Sequence, residues 1–281
     1  MGEMKDIKKF SKIGVRRGAV VQVITNNYCN LHCEWCSFMC HQPFSKDSPI
    51  ISHRERWDMP ESEARLFCER FEGHYTDSVH KLLGGETTVM PPEKLYAIID
   101  VFKEHNRKLK LLSNGFNILG LDKTYLNKLD AIELNDHGIN HQHVVNCFKY
   151  LKTFYKGNLV RRQQDKHYDL GKAQESCFPG APCNSIMNPP VLCKGVMYPC
   201  CIHPGVELWS NTWKMSNSLK RAGWGLDNPD VANVLKNWKQ TIPAYMVEQC
   251  SSSCWVSRRI KHRPPLCPIT LKKNDVIKKG G

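Results

Sequence analysis

The sequence predicts an α/β protein built around a parallel sheet, and three observations predict it. Short apolar runs alternate with segments that repeat apolar residues every three or four positions, as parallel strands joined by crossover helices do. Small and polar residues stand directly after the runs, where α/β enzymes gather their chemistry. Past Lys166 the alternation stops and Pro, Asn and Cys take over, so a smaller module follows. An open barrel and a flat doubly wound sheet share this rhythm.

Residues 19–24 (AVVQVI) read as the first strand. The polar stretch 39–60 is long for a connection; its Pro43, Phe44, His53 and Trp57 either touch a substrate or pack a surface loop. Pro60, Glu61 and Glu63 suit the first turn of a helix, with Leu66, Phe67, Arg70 and Phe71 at helical spacing behind them. Residues 79–83 form the second strand and end in Gly84-Gly85-Glu86-Thr87. A helix over 92–105 places Leu95, Ile98, Ile99 and Phe102 on one face, and the third strand, 109–115, closes on Ser113-Asn114-Gly115. A short helix at 122–129, a strand at 131–136, a helix at 140–154 and a strand at 158–163 complete the series. Beyond a boundary near 166–176, residues 191–198 suggest a hairpin turning at Gly195, and 229–240 a helix. The Lys-rich segment 271–281 reads as a flexible tail.

A chain of 281 residues with 41% hydrophobic and 24% charged residues fits a soluble globular protein. No apolar leader opens it, and no run approaches the ~18 apolar residues of a membrane span, so a cytoplasmic location is expected. There, fourteen cysteines point to metal rather than disulfides. The formal charge of +13, 40 basic less 27 acidic residues, suits either an anionic partner or a plain solubility surface. The same two readings hold for the basic segments 103–110 and 258–263, the second beside Trp255; as phosphate contacts they would admit a nucleotide or nucleic acid.

Cys29, Cys33 and Cys36 stand at C-x3-C-x2-C just past the first strand. Three thiolates so close can hold three corners of a cubic iron–sulfur cluster and leave the fourth iron open. A zinc site completed by Cys40 is the rival, although four ligands within twelve residues would wind tightly around one ion. With Trp35 before the last cysteine, the motif resembles the signature of the radical SAM superfamily, and Gly84-Gly85-Glu86 follows at the expected distance. The resemblance implies a partial (open) TIM-like (β/α)6 barrel over residues 19–165. It implies a [4Fe-4S] cluster on Cys29, Cys33 and Cys36 that binds S-adenosylmethionine. Gly84, Gly85, Glu86 and Thr87 would meet the amino group of that cofactor, and Trp35 would lie beside its adenine. From their strand-end positions, Ser113, Asn114 and Asn135 either meet its ribose or methionine portion or merely cap the loops there. On the same two readings, Arg161 or Arg162 either pairs with its carboxylate or serves the loop alone.

The likeness extends into the second module. Cys183, eleven residues, Gly195, four residues and Cys200 resemble the opening of the SPASM/Twitch auxiliary-cluster module. With Cys250 and Cys254 they would hold a second [4Fe-4S] cluster in a short module over 177–270. The last pair is spaced x3 rather than x2, and only Cys267 follows it. Cys177, Cys193, Cys201 and Cys267 are surplus: any could substitute as a ligand, Cys193 and Cys201 are candidates to give a hydrogen atom to a substrate radical, and each is otherwise a structural thiol. Cys68 and Cys147 fall on apolar helix faces and belong to the core.

By this likeness the chain is an oxidoreductase-type radical SAM enzyme fed by a one-electron reductant such as flavodoxin or ferredoxin. It would cleave S-adenosylmethionine reductively, and the 5′-deoxyadenosyl radical would take hydrogen from an unactivated C–H bond of a polar small molecule or nucleotide. Oxidation, epimerisation and rearrangement all remain open, with the auxiliary cluster as electron relay. Maturation of a ribosomally made peptide is a second reading, disfavoured by the mere eighteen or so residues before the first strand. Modification of a nucleic-acid base is a third, and a zinc-stabilised nucleic-acid-binding module without catalysis is the reading from another class.

Overall fold

A computed structural model describes residues 20–31, 56–163, 167–168, 186–200, 223–236 and 259–260. In chain order its elements are β1 (Val20–Ile24), α1 (Glu61–Arg70), β2 (Val79–Leu83), α2 (Pro92–Glu104), β3 (Lys108–Ser113), α3 (Lys123–Lys128) and β4 (Ala131–Asp136). Then come α4 (His141–Lys152), β5 (Asn158–Gln163), β6 (His167–Tyr168), β7 (Ile186–Cys193), β8 (Val196–Cys200), β9 (Trp224–Gly225), α5 (Val231–Lys236) and β10 (Arg259–Ile260). Single 3-10 turns, Thr87–Val89 and Ile118–Gly120, follow β2 and β3. The helix starts follow the sequence. Glu61 and Glu63 occupy the first turn of α1 with Arg70 in its last, and Asp122 caps α3 by accepting from Thr124 N–H at 2.6 Å.

Eight strands form one sheet in the order β5-β4-β3-β2-β1-β7-β8-β9. From β5 through β7 all neighbours are parallel, while β8 and β9 are antiparallel additions. β6 and β10 make a separate antiparallel pair. The sixth parallel strand therefore comes from the stretch assigned to the second module: Val191 and Leu192 stand in register with Gln22 and Val23. β7 meets β8 through the expected hairpin, whose turn residues Lys194 and Gly195 both take positive φ (50° and 70°), matching the twist of the strands. The pairing slips between Ile186 and Val191, where Pro189 and Pro190 have no N–H to give.

The helices decide between the two architectures that the rhythm allowed. Val21, Val23, Leu82, Leu109, Leu111, Ile132 and Leu134 share one buried cluster with Phe67 of α1, Ile98 and Phe102 of α2, and Val144 and Leu151 of α4. Alternation sends Gln22, Lys81, Lys110 and Glu133 to the opposite face, on which none of the described helices packs. A doubly wound sheet carries helices on both faces; an open barrel carries them on the outside alone. This is an open, partial barrel, as the sequence led us to expect. No helix among the described residues is long and apolar enough to cross a membrane.

Candidate active site

Buried polar side chains crowd the C-terminal ends of the strands. Of those the structure describes, all but Ser78, His80, Arg107 and Glu133 lie on or beside this rim. β1 runs off the sheet through Thr25, Asn26 and Asn27, every one buried. Thr25 N–H donates to Leu83 O at 2.7 Å, and its hydroxyl meets that of Thr87 at 2.9 Å. Asn26 Nδ2 donates to Glu86 O (2.9 Å); in return Gly85 N–H donates to Asn26 O and Glu86 N–H to Tyr28 O. The glycines permit this contact. A Cβ on Gly84, at φ +152°, would stand 2.4 Å from Asn26 O, and one on Gly85 only 1.8 Å from Tyr28 O. The Gly84-Gly85-Glu86 turn is thereby locked to the segment that carries Cys29.

Glu86 is the hub of the rim. Its carboxylate accepts from Thr88 N–H (3.1 Å), Thr88 Oγ1 (2.7 Å), Ser113 Oγ (2.8 Å) and Asn114 N–H (2.6 Å). Burial pushes its pKa up, against the donors from Asn114, Thr88 and Ser113. Glu86 and Ser113, both expected at S-adenosylmethionine, thus spend these bonds on tying the end of β2 to the end of β3. Asn114 extends the network to sulfur: its Nδ2 lies 3.7 Å from Cys29 Sγ and 2.9 Å from Asn30 Oδ1. Leu31 N–H also donates to Cys29 Sγ, at 3.3 Å. N–H donors to a sulfur favour the thiolate that a cluster ligand must be.

Asn140, absent from the residues singled out by sequence, holds the next two strand ends together by donating to Asn114 O (2.6 Å) and Asn135 O (2.9 Å). Asp136 accepts from Gly138 N–H, His141 Nδ1 and Arg161 at 2.8–2.9 Å. Burial alone would raise the Asp136 carboxyl; Arg161, Gly138 and His141 outweigh it and hold it below the usual range. Any cofactor carboxylate at Arg161 would share it with Asp136. Arg162 points to the other face, towards Glu133.

Cys193 belongs to a small buried cluster with Ile24, Val191 and Tyr198, against which Cys29 and Trp57 pack. Cys68 and Cys147 are core thiols, as read, each pushed up to about 11 by burial. Arg107, from a basic segment read as either a phosphate contact or a solvated face, is buried and donates to the carbonyls of Phe71 (2.7 Å) and His74 (2.5 Å) instead. Trp35, Cys33, Cys36, Cys40, Cys183, Cys250, Cys254, Cys201, Cys177 and Cys267 lie outside the described residues, as does the side chain of Cys200. Thr25, Asn26 and Asn140 escaped sequence reasoning, though the first two do carry a signal: polar residues wedged between an apolar strand and a cysteine motif.

Among solved structures the chain matches that of BtrN in complex with AdoMet and 2-DOIA at a TM-score of 0.52, with 13% identity over 88% of this chain and 98% of that one. The chain shares the fold of that structure. Streptococcus suis SuiB bound to S-adenosylmethionine (TM-score 0.37, 14% identity, 54% of this chain and 35% of that one) is a more distant match. So is native anSMEcpe with bound AdoMet (TM-score 0.38, 12% identity, 84% of this chain and 89% of that one). No protein-family model and no curated protein matches the chain.

Proposed function

We propose that this chain is a radical SAM enzyme. On this reading Cys29, Cys33 and Cys36 hold a [4Fe-4S] cluster whose open iron takes S-adenosylmethionine, and Cys183, Cys200, Cys250 and Cys254 hold an auxiliary [4Fe-4S] cluster. The substrate is a polar small molecule or nucleotide. One observation carries the reading: the thiol of Cys29 stands at the strand-end rim of an open barrel that shares the fold of BtrN, receives two N–H donors, and lies on the segment locked to the Gly84-Gly85-Glu86 turn. The thiol chemistry fits a cluster ligand, and BtrN, which shares the fold, was solved with AdoMet. When bound, the cluster and S-adenosylmethionine supply reductive cleavage to a 5′-deoxyadenosyl radical able to abstract hydrogen.

The chain's own residues supply position. Asn114 orients the Cys29 sulfur, Glu86 fixes Asn114 through its backbone N–H, and Asn140 secures Asn114 from the far side. Thr25, Asn26 and Thr87 fill the floor with polar groups paired to one another and to Glu86 O. Cys193, in the small cluster against which Cys29 packs, is a candidate hydrogen-atom donor.

Anaerobically purified protein should contain about eight irons with matching sulfide for two clusters. Incubated with dithionite and S-adenosylmethionine it should release 5′-deoxyadenosine. Zinc without sulfide, or no 5′-deoxyadenosine from iron-loaded protein, overturns the proposal.

A further inference from the structure

The helix-free face of the sheet carries a row of charge that the rim does not use. Lys81 of β2 and Lys110 of β3 stand directly opposite one another in register. On the same face, one step along the neighbouring strands, come Glu133 of β4 and then Arg162 of β5, opposite Asn135. Glu133 is 2% exposed; it ion-pairs with Lys110 and lies 3.4 Å from Arg162. Among the described residues Lys81 has no ion pair, and it is half-buried. Three cations thus share one carboxylate, leaving a surplus of two positive charges.

Two ammonium groups facing each other across a ladder repel, and burying one of them adds desolvation. Burial does hold Lys81 below its ordinary range, with Lys110 and Arg162 pushing the same way and Glu133 resisting. Burial alone would raise the Glu133 carboxyl, yet its cationic neighbours keep it low, so the carboxylate is ionised and already engaged. A doubly negative group between Lys81, Lys110 and Arg162 would neutralise the row.

We propose that this face holds a subsite for a dianionic group, a phosphate monoester, bound by Lys81, Lys110 and Arg162, with Glu133 positioning the last two. Lys110 lies three residues before Ser113, which sets the subsite about 10 Å along the strands from the rim at roughly 3.3 Å per residue. A sugar phosphate or nucleotide bound there would reach the rim with its uncharged end. Only the identification of the ligand as substrate rests on the enzymatic reading above; the anion site does not.

The test titrates the full-length, cluster-loaded protein with inorganic phosphate at fixed ionic strength, followed by 31P NMR and thermal shift, with acetate and chloride in parallel arms. Phosphate should bind at least tenfold more tightly than acetate. Lys81→Met and Arg162→Met should each weaken it about tenfold, Lys81→Met without loss of thermal stability in phosphate-free buffer. Lys103→Met, which removes a lysine paired with Asp130 on α2, should leave phosphate binding unchanged. Phosphate no better than acetate, or equal losses in all three variants, overturns the subsite. Phosphate binding intact in protein that forms no 5′-deoxyadenosine sinks the enzymatic reading and spares this one.

Discussion

His80 is wholly buried against Phe67 and Phe102, ring centroids 5.8 and 5.4 Å away, and neither ring nitrogen finds a hydrogen-bond partner of good geometry. Burial, with Arg107 behind it, lowers its pKa from 6.5 to about 4. A histidine so depressed favours the native state while neutral. Its contribution is complete above pH 6.5 and is lost as pH falls through about 4, a swing of about 3 kcal/mol. His80→Leu should flatten that acid limb in urea midpoints taken from pH 4 to 7. Glu63 has the opposite sign. Burial raises its pKa from 4.5 to about 7 against the Gly195 backbone and Lys194, and its Oε1 has no partner. Its carboxyl favours folding only while protonated, so stability falls as pH rises from 4.5 through about 7. Glu63→Gln should therefore gain about 2 kcal/mol at pH 8 and nothing at pH 4, read by the same unfolding series. At Glu86 the outcome is a loss: Glu86→Gln turns an amide against donors from Thr88, Ser113 and Asn114, and should cost about 2–4 kcal/mol in chemical denaturation.

The elements of the first half were readable because each carries its own period: strands 79–83, 131–136 and 158–163 stand where the apolar runs placed them. Periodicity within a segment does not choose a distant partner, and β7 shows the consequence. Its apolar residues announced a hairpin, but nothing in residues 186–193 says that β1 is its other neighbour. Leu192 is fully buried in the main core, beside Val23 in register, so Leu192→Ala should cost about 3 kcal/mol and destabilise β1 as well as the hairpin. Hydrogen exchange should find β7 and β1 equally protected. A fragment ending at residue 165 would expose the edge of β1 and should aggregate; a stable monomeric fragment would contradict this pairing.

At the scale of the whole molecule, the cysteine motif and the GGE turn drew attention in the sequence, since residue type and spacing set what they could ligate. The network beneath them was not. Asn140 touches Asn114 across 26 positions, and Asp136 gathers His141 and Arg161 from separate elements. Such contacts exist only once the sheet has formed. The same holds for the one-sided placement of the helices, which distinguishes a barrel wall from a doubly wound sheet. Cys29→Ala should remove the iron–sulfur absorbance of the motif cluster and abolish 5′-deoxyadenosine formation. Because the thiol is half-exposed and packs only at the margin of its cluster, circular dichroism and unfolding midpoint should stay close to those of the parent.

Between Gly85 and the carbonyl of Tyr28 there is no room for even one added carbon. The segment leading into Cys29 is in effect welded to the end of the second strand, not hinged on it. A ligand seated on Cys29 would keep a fixed bearing to Glu86 through every turnover, and any opening that admits substrate must come from some other part of the chain.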